Sequence, residues 1–157
     1  MAIFAPFFAK VQATAVASAI AQSSRITGGL SATHLIGLAL VMGGALLSNL
    51  RLLGLLFPQR PAAEVTSLAG RAVLAGLLVS VTTGVMLFSA RASDISSNGT
   101  FQLKMALLAA AAVVQFAVVG RSGRGVPSAS RLRVTGAVGL ALWFGVAFAG
   151  CAFILFE

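Results

Sequence analysis

A chain of 157 residues that is 59% hydrophobic and only 9% charged carries too little charge to cover a water-soluble domain of its size. With a mean hydropathy of +1.01 and long runs free of charge, it reads as an integral membrane protein with no separate soluble domain. The formal net charge is +8, but the basic residues cluster in short loops at the ends of apolar segments. There they set topology and touch anionic lipid, so nucleic acid is not an expected partner.

In chain order, residues 4–23 come first. Phe4, Phe7, Phe8 and Val11 lead into an alanine- and serine-rich stretch interrupted by Lys10 and Gln12. This segment is too short and polar to span a bilayer, and it predicts an amphipathic helix lying in the membrane interface. It lacks a basic start and holds Lys10 in its middle, so it reads as retained rather than as a cleaved signal peptide. The string "SSRITGG" is expected to break the pattern before the first span.

Four spanning helices are expected. They cover 31–57, stopped by Pro58; 63–90, started by Pro61; 101–120; and 132–156. Each reaches the roughly 20 apolar residues that cross a bilayer. Short connections make neighbouring helices antiparallel, so the expected fold is all-α. It is a single membrane domain over 1–157, a four-helix up-down bundle with an N-terminal interfacial helix.

Small residues recur at every fourth position as Ala72, Gly76, Ser80 and Gly84, and again as Ala137, Ala141, Gly145 and Ala149. Such rows are expected to be helix contact seams. In the first span Thr33, Gly37, Gly44, Ser48 and Arg51 fall in one sector, which is expected to turn inward with His34 at its margin. The first and third loops, with adjoining helix ends, carry Arg51, Arg60, Arg71, Arg121, Arg124, Arg131 and Arg133. The opposite side carries Lys10, Arg25, Arg91 and Lys104, with Asp94 and Glu157. Seven basic residues against four place both termini on the periplasmic side of a bacterial inner membrane.

The string "THLIGLALVMGGALLSNLRLLGLL", with "FQLKMALLAAAAVV" further on, resembles an uncharacterised family of small bacterial inner-membrane proteins. The matching positions are His34, Leu35, Gly37, Leu50, Arg51, Leu52, Leu53, Gly54, Phe101 and Lys104. The resemblance implies a four-helix membrane fold and no established activity. Asn49 stands where that family has an aspartate, so an ion pair with the neighbouring arginine is lost. A looser similarity to copper-resistance membrane proteins of the copper-D type, and to haem-bearing four-helix cytochromes, rests on helix count and one histidine.

His34 is the only histidine, whereas a bis-histidine b-type haem needs two on facing helices. Met105, expected near the level of His34, and Met86, near the same end of the second span, are the candidate second haem ligands. A haem shared with another subunit, a quinone contact, and Cu(I) held by methionine sulfur are the further readings. The bland alternative is an interfacial histidine that hydrogen-bonds a backbone carbonyl or loop group, with Ser31 and Thr33 marking a polar helix start.

Asn49, Arg51 and Arg71 form a second candidate site, for a lipid or quinone head group between the first two spans. Its bland counterpart is snorkelling arginines, one of them paired with Glu64. Lys104 reads similarly, with Asp94 as its expected partner. Gln115 and Trp143 are explained by core hydrogen bonding and packing, and Cys151 by a small core position. No catalytic cluster, metal-ligand spacing, phosphate loop or midplane ionisable residue is present in the pattern. The expected role is a non-catalytic accessory or scaffold subunit of a respiratory or photosynthetic membrane assembly. Lipids and other membrane subunits, or further copies of the chain, are the expected partners.

Overall fold

The computed structural model describes residues 5–120 and 128–155. Its described residues form helices α1 (Ala5–Gln12), α2 (Ala15–Gln22), α3 (Ser24–Leu53), α4 (Ala62–Ser89), α5 (Ala92–Ser96), α6 (Gly99–Gly120) and α7 (Ala129–Leu155). Four of them, α3, α4, α6 and α7, are long and apolar enough to cross a membrane, the architecture of a multi-pass all-α bundle. Arg121, Arg124 and Glu157, which entered the orientation count, lie outside the described residues.

The N-terminal segment folds as two short helices rather than one. Thr14 separates them, accepting from Ala17 N as an N-cap. Helix α1 packs on α5, where Gln12 Oε1 accepts from Ser93 N at 2.9 Å, and α2 packs on α3 and α4.

"SSRITGG" does not interrupt α3. Ser23 caps the helix by accepting from Ile26 N, and the helix runs through Gly28 and Gly29 for 30 residues. Each helical glycine costs only about 1 kcal/mol, so a capped helix carries the pair without breaking. At about 45 Å, α3 exceeds the roughly 30 Å hydrocarbon core, so its first turns extend beyond it. It also ends before Pro58. Gly54 adopts φ +82°, and the bonds Gly54 N to Arg51 O and Leu55 N to Leu50 O close a Schellman motif.

Helices α3 and α4 share the most extensive interface, with α6–α7 and then α3–α7 after it; α4 and α6 meet sparsely. The α3–α4 register is antiparallel and glycine-dependent. A Cβ on Gly76 would lie 2.6 Å from Gly37 O and 2.7 Å from Val41 N. One on Gly44 would lie 2.8 Å from Ala69 O, so only glycine permits this backbone approach. The inward sector of α3 is borne out at Gly37, Gly44 and Ser48, which are buried, while Thr33 is exposed.

The expected row on α7 is corrected. Ala137 and Ala141 are exposed, and the buried face runs through Gly136, Gly139, Trp143, Val146 and Ala149. From 136 to 146 its spacing alternates three and four, which holds one face toward a partner, whereas a strict four-residue row drifts around the helix. The core joins Val41, Ala45, Val73, Ala111, Trp143 and Val146. Cys151, expected in the core, is exposed.

Candidate functional site

Helix α1, the α4–α6 turn and the end of α7 share one end of the bundle, and there the antiparallel register brings His34 of α3 to Thr83 of α4. His34 Nδ1 lies 3.1 Å from Thr83 Oγ1. That hydroxyl also donates to Val79 O at 2.7 Å, so its single proton is committed and it accepts from the ring. His34 therefore carries its proton on Nδ1 in the neutral form and presents Nε2 as an acceptor. Glycine makes room for the ring: a Cβ on Gly84 would stand 3.1 Å from His34 Cε1. His34 thus crosses to a neighbouring helix ten residues past the start of α3, and it does not mark a helix start.

Lys104 of α6 reaches the same level. It is half-buried, and its Nζ lies 3.6 Å from where a Cβ on Gly150 of α7 would sit. Asp94, its expected partner, is exposed on α5, and the ion pair found among the described residues is Arg60–Glu64 at the opposite end. The short α5 turns Asp94 outward.

A chain of phenylalanine rings covers this end. Phe8 of α1 meets Phe88 of α4 edge-on at 5.9 Å. Phe88 stacks on Phe101 of α6 at 5.3 Å, and Phe101 contacts Phe153 of α7 at 6.0 Å. Phe101 precedes Lys104 by one helical turn. The rings bridge α4 and α6 where their backbones scarcely meet.

Among the candidate haem ligands, Met105 faces outward at 45% exposure and Met86 is half-buried on α4. The hydrogen-bond partner beside His34 is a threonine.

Asn49, Arg51 and Arg71 are not brought together. Asn49 is buried between α3 and α7, donating from Nδ2 to Ala45 O at 2.7 Å. Its amide lies against Gly139, where a Cβ would collide with Oδ1. Arg51 points about 200° away from Asn49 around the helix and donates from Nε to Arg60 O at 3.0 Å, with its terminal nitrogen on the same oxygen. Arg71 lies on the exposed face of α4. The guanidinium on Glu64 is that of Arg60, at 3.2 Å, neither Arg51 nor Arg71. Between Phe57, which holds φ +47°, and Leu47, Val65 and Leu68, this pair rims an open groove of about 210 Å³.

Deeper in the bundle Gln115 Nε2 donates to Ser48 Oγ at 3.2 Å, both residues being buried. Trp143 packs in the core with Nε1 lacking a hydrogen-bond partner.

Reading the residues singly missed Thr83 and the ring chain. Counting back from Leu53 to His34 and the same number on from Ala62 reaches position 81, within two residues of Thr83. The phenylalanines stand near segment ends in the sequence, but their adjacency exists only in the bundle.

Neither a curated protein nor a solved structure matches the chain. A family model matches residues 8–156, nearly its whole length, so the chain belongs to the family of unknown function DUF6644.

Proposed function

We propose that this chain is a non-catalytic accessory or scaffold subunit of a respiratory or photosynthetic assembly in a bacterial inner membrane, with both termini periplasmic. The observation that carries the reading is the outward side of α7. Ala137 and Ala141 lie exposed there, with Val138 at 44%, Phe144 at 44% and Phe148 at 73% exposure. Small residues flanked by aromatic ones on a membrane-facing surface allow another helix to approach closely. The seven-to-four distribution of basic residues supports the orientation. Native mass spectrometry of mild-detergent extracts tests the proposal. The expected result is the chain in complex with other membrane subunits or copies of itself, lost in Ala141→Trp. A wild-type chain that is monomeric throughout would count against it.

A second reading is an electron-transfer protein in which His34 ligates a b-type haem or holds a quinone. Its support is the Nδ1–Thr83 hydrogen bond, because a ring fixed through one nitrogen aims the other at a ligand. The outward Met105 suits a haem shared with a partner more than one enclosed in this bundle. A reduced-minus-oxidised visible spectrum decides the haem version. An α-band lost in His34→Ala supports it, and purified protein with no α-band sinks it.

A further inference from the structure

We infer that the groove between α3 and the start of α4 seats a phospholipid with a primary-amine head group, of the phosphatidylethanolamine type. Glu64 takes its ammonium, Arg71 its phosphate, and the groove the upper part of one acyl chain. The inference stands apart from the choice of assembly, because it concerns the outside of the α3–α4 pair alone.

Its first support is the cavity. An open space of about 210 Å³ is lined by Leu47 of α3, Phe57 of the connecting loop, and Arg60, Glu64, Val65 and Leu68. Sites for whole small molecules hold roughly 300–1,000 Å³, so this one fits part of a larger molecule. Leu47 and Leu68 stand six residues, about 9 Å, from Leu53 and Ala62, so the groove descends from the loop toward the hydrocarbon. Its walls are apolar, and Phe57 and Leu68 remain 53% and 65% exposed. Phe57 also holds φ +47°, so a residue that lines the groove bears backbone strain.

The second support is the order of charge along one face of α4. Glu64, Leu68 and Arg71 are spaced four and three, which stacks them on one side of the helix, and all three are exposed. At about 42 Å, α4 exceeds the roughly 30 Å hydrocarbon core by about one turn at each end. Glu64, in the first turn, therefore lies at the head-group level, and Arg71 lies below it in the hydrocarbon. Helical side chains lean over the turn that precedes them, which carries the Arg71 guanidinium back over Leu68 toward the interface. A cation inside a span is costly unless an anion meets it, and among the described residues no ion pair engages Arg71.

From hydrocarbon to water the face is thus positive at Arg71 and negative at Glu64. An aminophospholipid presents the complement in the same order, phosphate below and ammonium above. A choline head group has no N–H to donate to Glu64, and a glycerol head group has no cation. The Arg60–Glu64 pair, at 3.2 Å and exposed in both partners, is weak enough to yield to the ammonium. Arg51, bonded to Arg60 O, holds the loop that forms the rim.

Reconstitution in phosphatidylcholine vesicles with spin-labelled lipids of identical chains, read by electron paramagnetic resonance, tests the seat. Wild-type protein is expected to immobilise labelled phosphatidylethanolamine about threefold more than labelled phosphatidylcholine or phosphatidylglycerol. Glu64→Gln should remove the preference over phosphatidylglycerol. Arg71→Gln should lower immobilisation of all three phospholipids about fivefold relative to labelled diacylglycerol, which lacks the phosphate. Arg133→Gln, which removes an exposed charge of α7 at the same end, should change neither. Equal immobilisation of the three phospholipids by wild type overturns the inference and leaves the groove to a protein occupant. A preference for phosphatidylglycerol overturns it in favour of general attraction of anionic lipid to the basic end, as does a loss in Arg133→Gln equal to that in Arg71→Gln. Thermal melting of each variant separates lost binding from lost folding. If Arg71→Gln fails to fold, Glu64→Gln carries the test alone, and an unchanged preference there is contrary.

Discussion

Near each end the bundle admits a polar side chain, and the two ends treat it in opposite ways. At the α3–α4 loop end the buried group is Asn49, an uncharged amide that returns a hydrogen bond to its own helix and rests on Gly139. The charges there stay outside: Arg51 caps a loop carbonyl and Arg60 pairs with Glu64. At the other end the half-buried groups are an imidazole and an ammonium, with aromatic rings at the same end and no carboxylate paired with either among the described residues. The contrast sets an amide bonded within its own helix against an ammonium that has no carboxylate partner among the described residues. An amide needs a single carbonyl and a nearby glycine, whereas an ammonium in a low-dielectric interior calls for an anion.

Four substitutions break or sharpen this contrast. The largest effect is expected from Asn49→Asp, motivated by the directions of Asn49 and Arg51. Because the guanidinium is engaged with the loop on another side of the helix, a carboxylate at 49 is buried unpaired, with a loss of about 3–5 kcal/mol. Detergent-denaturation curves measure it, and a neutral result would mean that Arg51 can swing round to position 49. Next comes Gly139→Ala, whose Cβ would occupy the place of the Asn49 amide. Overpacking of this kind costs about 1–3 kcal/mol and should weaken the docking of α7 on α3, seen as faster hydrogen exchange in α7. Wild-type exchange rates would show that Asn49 can vacate the position freely.

At the opposite end, Thr83→Val removes the acceptor for His34 Nδ1 while keeping shape, at an expected 1–2 kcal/mol, about the cost of an unmet buried donor. An imidazole nitrogen resonance that does not change on this substitution would contradict the assigned tautomer. The smallest effect belongs to Glu64→Gln. Its pair with Arg60 is exposed, so stability should change by no more than about 0.5 kcal/mol, and less still in high salt. A larger loss would show that the loop end also depends on a charge pair, and the contrast between the ends would fail.

The fold was legible because its signals are local. Segments 101–120 and 132–156 are predominantly apolar over the roughly 20 residues that cross a bilayer whatever their neighbours are. Helix ends were legible only to within a few residues: Ser23 capped α3 earlier than the glycine pair suggested, and Gly54 ended it before the proline. The candidate site was legible in part. His34, Lys104, Gln115 and Asn49 stand out as polar residues in apolar runs, yet their partners belong to other helices. Lys104 reads naturally with Asp94, ten residues away in sequence, and is found instead at the level of His34, seventy residues away. Cys151 looked like a core residue because small apolar residues flank it, and those flanks do not say which way its side chain faces.

Sequence alone determined the number of spans, the antiparallel order that short connections impose, and the inventory of polar residues. Hydropathy, length and chain connectivity carry those, and none depends on how one helix is rotated against the next. The tertiary structure decided the rotations. It turned Gly136, Gly139 and Trp143 of α7 inward instead of Ala137 and Ala141, seated Asn49 on glycine, and set His34 against Thr83. A helix rich in alanine and glycine offers several faces that permit close approach, so small-residue spacing alone does not choose among them. The choice falls to the few large or polar side chains: the bulk of Trp143 is buried in the core, and Asn49 and His34 find their hydrogen bonds in this register.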